Sequence, residues 1–195
     1  IVSFALFRRE PPALSIDLKD KKFQPDLDHL KKTASALNNS YLAIQGPPGT
    51  GKTWAGARII HHLVTVEKKR VGITAQSWSA IENLLEATVK VFEKERNENL
   101  EPEFEPLKAV LRKPKPKDKE PIEGVTYTTN DKGNLFADFD LVASTTWFWA
   151  HEDFDEGNKF DYLVIDEAGQ LALVDALVSA NGAQNLLLLG DPQQL

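Results

Sequence analysis

The sequence predicts an α/β protein in which a parallel sheet carries helices on both faces. Three observations lead there. Five short apolar runs, Tyr41 to Gln45, Arg70 to Ala75, Asp140 to Ser144, Tyr162 to Asp166 and Asn185 to Leu189, have the length and continuous hydrophobicity of strands buried on both sides. The stretches between them are long or helically patterned, as parallel neighbours require, rather than tight turns. Each run also leads directly into a polar motif: GPPGTGKT, TAQSW, STTW, DEAGQ and GDPQQ in turn. In an open parallel sheet ligands bind beyond the strand C-termini, so these motifs belong to one edge and one site.

Taken in order, residues 1 to 24 open on the apolar IVSFALF and pass through charge and proline to Lys19, Lys21 and Lys22. We expect a strand and a linker there. Leu27, Leu30, Ala34 and Leu37 share a helical face between Asp26 and Leu37, so a short amphipathic helix completes a lead-in segment, residues 1–40. The main domain, residues 41–195, starts with the first strand and its loop. From Lys52, Ala55, Ile59, Ile60 and Leu63 recur at helical spacing; from Ser77, Trp78, Ile81, Leu85, Val89 and Phe92 do the same. Residues 93–138 break the rhythm with mixed charge, the basic RKPKPKDKEP and a small hairpin expected around Asn130 to Gly133, and read as an insertion. Its KPKPKDK run is first a solvated loop and second a contact for a nucleic-acid backbone. The pattern then resumes, with a helix expected from Leu171 to Ala180.

A chain of 195 residues supports one ordinary domain with a sizeable core. Its 29 acidic and 23 basic residues give a formal charge of −6, which argues against electrostatic coating of nucleic acid while leaving room for a local basic groove. With no cysteine, disulfides and thiolate metal sites are excluded, and the composition suits a reducing, cytoplasmic setting. No apolar run approaches a membrane span, and the first residues lack the order of a secretion signal, so we expect no membrane partner. Because the chain opens on Ile1 and stops at Leu195 just after GDPQQ, we expect it to be a piece of a longer protein.

The segment Gly46 to Thr53 fits G-x-x-x-x-G-K-[ST], the phosphate-binding loop. Gly46, Pro47, Pro48, Gly49, Thr50 and Gly51 form the loop, whose glycines let the backbone wrap phosphate with its N–H groups; Lys52 reaches the outer phosphates, and Thr53 offers its hydroxyl to magnesium. The helix that follows adds its N-terminal dipole. At the end of YLVID, Asp166 is placed to hold the metal and Glu167 to polarise the attacking water. GDPQQL brings Asp191, Gln193 and Gln194 to the same edge, where an amide would contact a terminal phosphate. A guanine-nucleotide switch is the competing class, because DEAG fits D-x-x-G and Asn158 to Asp161 reads NKFD; but that base-reading motif should follow D-x-x-G, and here it precedes it. His29, His61, His62 and His151 lack metal-ligand spacing. Trp147 and Trp149 read first as core and second as base-stacking platforms, and Trp78 reads equally as either.

Together, IQGPPGTGKT, ITAQSWSAIENLL, VASTTW, LVIDEAGQ and LLLGDPQQL resemble motifs I, Ia, Ic, II and III of the first RecA-like domain of an Upf-type superfamily 1 helicase, in family order. More narrowly, the chain is similar to bacterial proteins in which such a module follows a RecB-like nuclease. The resemblance implies a P-loop NTPase that uses ATP and Mg2+. Lys52, Glu167 and Gln194 would be catalytic, Thr53 and Asp166 would hold the metal, and Ser77 with Thr145 or Thr146 would lie on a single-stranded DNA or RNA track. It also implies a second RecA-like domain C-terminal to this one; without it, hydrolysis should be weak. Two positions depart from the family. His29 stands where an adenine-reading glutamine is usual, and Ala75 to Trp78 replace the usual A-P-S-N. The alternative is an ATPase that regulates a fused nuclease without unwinding.

Overall fold

Seven parallel strands form the sheet, in the order β1-β7-β6-β2-β5-β3-β4. They are β1 Tyr41–Gln45, β2 Val71–Ala75, β3 Ala109–Leu111, β4 Val125–Tyr127, β5 Leu141–Ala143, β6 Phe160–Asp166 and β7 Ala183–Gly190. The helices are α1 Val2–Phe7, α2 Leu27–Ser35, α3 Lys52–Thr65, α4 Trp78–Glu98, α5 Thr146–Trp149 and α6 Leu173–Ser179. The computed structural model describes residues 2–15, 26–98, 106–118, 120–130, 136–154 and 157–191.

Alternation along the strands divides the interior into two cores, because successive strand side chains point to opposite faces. Tyr162, Val164, Leu187 and Leu189 face the layer of α2, α3 and α4; Leu163, Ile165 and Leu186 face the layer of α1, α5 and α6. The second core is aromatic. Phe148, Trp149, Phe154 and Phe160 meet at ring centroid separations of 5.0 to 6.3 Å. The benzo ring of Trp149 packs against β2, and a Cβ placed at Gly72 would sit 2.5 Å from its Cη2, so close approach rather than backbone conformation requires glycine there.

Helix α2 starts where its sequence says it should. Asp26 caps it by accepting a 2.7 Å bond from the His29 N–H, and Leu30 and Ala34 turn inward. The buried Tyr162 hydroxyl donates to the Ala34 carbonyl at 2.8 Å and ties this lead-in helix to β6.

Three expectations need correction. The opening apolar run is helix α1, not a strand, with Val2 buried against the second core; a short apolar run fits either element, and contact with α6, β1 and β7 decided. The linker's Lys19, Lys21 and Lys22 lie outside the described residues. Segment 93–138 is more regular than its charge pattern suggested, since α4 runs on to Glu98 and β3 and β4 extend the sheet at its edge. Three-residue strands are too short for a period to show. Where the hairpin was expected, Val125 to Tyr127 pair in parallel with β3, and turn residues 131–133 lie outside the described residues. Helix α6 begins two residues later than expected, after a 3-10 turn over Ala168–Gln170.

Candidate functional site

The strand ends that lead into the five motifs do converge at the C-terminal edge. Gln45 stands beside Gly190, Ala75 beside Asp166, and Ile73 beside Ala143, so the tips of β1, β7, β6, β2 and β5 form one terrace. From its first step the loop Gly46 to Gly51 is pinned, the Gly46 N–H donating to the Gly190 carbonyl at 3.2 Å. Gly49 (φ 79°) and Gly51 (φ 84°) are left-handed, a conformation costing an L-residue about 1–2 kcal/mol, and no atom lies near a Cβ built at Gly49, so there the requirement is conformational. Thr50 closes the turn by donating to the Pro47 carbonyl at 2.7 Å. The Lys52 ammonium turns back over the loop to Gly46 O at 2.6 Å and Pro47 O at 2.9 Å, which seats it within the arc of N–H groups. Pro48 is exposed at the crest. In α3 the first regular bond comes from Ala55 to Gly51, leaving the turn formed by Lys52, Thr53 and Trp54 to face outward as an anion-binding end.

At the tip of β6 Asp166 is only 5% exposed. Burial raises its pKa above the usual aspartate range; the Glu167 N–H at 2.9 Å, the charge of Lys52 and the nearby Thr53 hydroxyl oppose that rise, and the charge of Glu167 adds to it. A buried carboxylate beside a hydroxyl presents two hard oxygen donors side by side, the chemistry that magnesium takes. Among the described residues no group of three or more His, Cys, Asp or Glu is placed to hold a metal ion, so a metal here would draw its remaining ligands from phosphate and water. Thr53 and Asp166 fit that role. Glu167 is held at φ 51°, ψ 39°, left-handed for a non-glycine residue, before the turn its carbonyl starts by accepting from Gln170 at 2.8 Å. Strain of this kind persists where surroundings over-determine it, and here it sets Glu167 on the terrace beside the metal-type pair. Asp191 is buried at the end of β7, while Gln193 and Gln194 lie outside the described residues.

Ser77 and Thr145 follow neighbouring strands β2 and β5 and so come together on the same edge. The Ser77 hydroxyl caps α4, accepting from the Ala80 N–H at 3.2 Å. Thr145 leads into α5, and Thr146 gives its carbonyl to the Ala150 N–H and, at 3.5 Å, to the Ser179 hydroxyl. The core reading holds for Trp149, fully buried, and fails for Trp147, which is 83% exposed because a single helical turn cannot aim both indoles at one core. Trp78 is half-buried, with the Lys113 ammonium 5.2 Å from its ring centroid. Sequence reading left Arg112 and Lys113 inside the insertion; β3 delivers them to the terrace, where the Arg112 N–H bonds to Ala143 O at 2.9 Å and Lys113 pairs with Glu82 at 2.8 Å. The one signal was the apolar triplet Ala109 to Leu111 before them.

NKFD lies at the other end of the sheet. Asp161, early in β6, accepts from the Arg70 N–H just before β2, a full strand length from the phosphate loop, so geometry removes the guanine-switch reading that motif order already disfavoured. The histidines are dispersed: burial lowers the pKa of His61, which sits edge-on to Phe92, His62 lies 3.5 Å from Glu67, and His151 is exposed beside Asp153.

A family model described as an AAA domain matches residues 30–195. The chain is 30% identical to the DNA replication ATP-dependent helicase/nuclease dna2 of Schizosaccharomyces pombe, across 100% of this chain and 14% of that protein. It is 42% identical to the regulator of nonsense transcripts 1 homolog of Neurospora crassa, across 34% of this chain and 7% of that protein. The chain therefore spans a small part of these relatives. Among solved structures, the Sulfolobus solfataricus SWI2/SNF2 ATPase core in complex with dsDNA has the same fold, with a TM-score of 0.50 and 14% identity over 93% of this chain and 33% of that one.

Proposed function

The chain belongs to the AAA domain family, and from that premise we propose that it works as the ATP-binding and hydrolysing half of a superfamily 1 motor driven along single-stranded nucleic acid. The observation that carries this reading is the buried carboxylate of Asp166, beside the hydroxyl of Thr53 and close enough to Lys52 to feel its charge. The loop glycines and the open turn of α3 would bind the phosphates, Lys52 would exchange its carbonyl partners for phosphate oxygens, and Thr53 with Asp166 would hold magnesium. Magnesium, when bound, neutralises charge on the outer phosphates. Glu167 would orient the attacking water and accept its proton, and Gln194 would report the terminal phosphate to the nucleic-acid side of the site.

Ser77, just beyond β2, and Thr145 and Thr146, just beyond the neighbouring β5, would contact the strand. The names of the fission-yeast and Neurospora relatives support a nucleic-acid partner, and the helicase/nuclease description supports the finer reading that the full protein also carries a nuclease; that this nuclease is RecB-like rests on the sequence resemblance alone. A second RecA-like domain would complete the ATP site, and closure of the two would move the strand. The test is ATP hydrolysis by the full-length protein with and without single-stranded DNA or RNA. Stimulation that Lys52→Ala abolishes is expected; a rate indifferent to both nucleic acids would remove the motor reading.

A further inference from the structure

We propose that Trp54 is the platform on which the base of a bound nucleoside triphosphate stacks, and that this contact accepts a base without reading its edges. The proposal rests on the nucleotide reading of the phosphate loop and adds to it the part of the ligand that the loop does not touch. Trp54 lies on the first turn of α3, next to Thr53, and its Cβ is 3.9 Å from a Cβ built at Gly51. Its indole is 53% exposed, on the side of α3 away from Gly56, Ile59, Ile60 and Leu63, so packing does not account for it.

The ring is nevertheless fixed. Arg58, one turn on, places its guanidinium carbon 3.9 Å from the ring centroid and donates to the Trp54 carbonyl at 3.3 Å. One face is thus occupied by a cation, and the exposed remainder of the ring adjoins the turn whose N–H groups face an anion. A nucleotide whose phosphates lie on that turn must send its ribose and base out past this side chain. An aromatic face held in place in advance costs a ligand little ordering, and stacking on it is indifferent to base identity because every base has a π-face. Nothing in the contact can distinguish adenine from guanine, in keeping with His29 standing where the resembled family has a glutamine.

The test is calorimetric titration of this chain with magnesium and ATP, GTP or inorganic tripolyphosphate, alongside tryptophan fluorescence. Trp54→Ala should weaken ATP and GTP by the same factor, roughly tenfold, and leave tripolyphosphate unchanged. Trp54→Phe should restore most of the loss, Arg58→Ala should weaken both nucleotides in the same direction, and the ATP-induced change in emission should vanish with Trp54. Unaltered ATP affinity in Trp54→Ala, or a loss shared by tripolyphosphate, would overturn the platform while leaving the phosphate site standing. Failure of tripolyphosphate to bind the unaltered chain would overturn the phosphate site itself, and the platform with it.

Discussion

The hydroxyl of Thr53, at the start of α3, lies beside the carboxylate of Asp166 at the tip of β6. Strand β7 lies between β1 and β6, so this approach reaches over an intervening strand to bring the phosphate-loop helix to the carboxylate. The burial of that carboxylate fixes the sign of a pH effect. Burial raises the folded-state pKa of Asp166 above its unfolded value, so the folded chain holds this proton more tightly and stability falls as pH rises through the raised pKa. Asp166→Asn should therefore raise the thermal midpoint at neutral pH, by about 2–4 °C, with a gain that disappears below the ordinary aspartate range. The same variant should lose any response to magnesium-ATP. Melting curves across pH check both.

Lys52 is held by the carbonyls of Gly46 and Pro47, so its removal should disturb the loop without unfolding the domain. Magnesium-ATP at a hundredfold excess over Kd should stabilise this chain by about 2.7 kcal/mol, and Lys52→Ala should abolish the effect. Equal thermal shifts in both proteins would sink the assignment of the loop.

For Glu167 the expected separation is between binding and turnover. In the full-length protein Glu167→Gln should retain nucleotide affinity and lose about 10²- to 10⁴-fold in hydrolysis, measured by phosphate release. Retained turnover would exclude Glu167 as the base.

The two indoles of α5 should behave as opposites. Trp149→Ala empties the centre of the aromatic core and should cost about 3–5 kcal/mol, whereas Trp147→Ala should fall within about 0.5 kcal/mol of the parent in urea unfolding. Gly72→Ala, driving a methyl into the Trp149 ring, should cost about 1–3 kcal/mol.

Tyr162 donates its buried hydroxyl to Ala34 O, and burial pushes its pKa above the ordinary tyrosine range, so it remains a donor at all working pH values. Tyr162→Phe removes this tie while the carbonyl keeps the Leu37 N–H at 3.2 Å, and should cost about 0.5–1.5 kcal/mol, with hydrogen exchange in α2 accelerating ahead of the rest.

Much of the site was legible because it is local. The loop glycines, Lys52 and Thr53 are consecutive, and Asp166 and Glu167 end an unmistakable apolar run, so spacing carries the chemistry. The long helices were legible for the same reason, since α3 and α4 span enough turns for a stripe to repeat. Short elements were not: α1, β3 and β4 have 6, 3 and 3 residues, too few for a period to emerge, and their conformations are set by what they pack against.

By itself, then, the sequence determined the parallel α/β class, the order of the motifs and the phosphate-loop and carboxylate residues, because each is written in contiguous residues or in a repeating pattern. Only the tertiary structure decided that β7 inserts between β1 and β6, that Trp147 faces solvent while Trp149 fills the core, that NKFD lies at the wrong end of the sheet, and that Trp54 stands clamped beside the loop. The reason is physical. Strand order, burial and the free face of a ring depend on contacts between residues far apart in the chain, and no local spacing encodes those contacts.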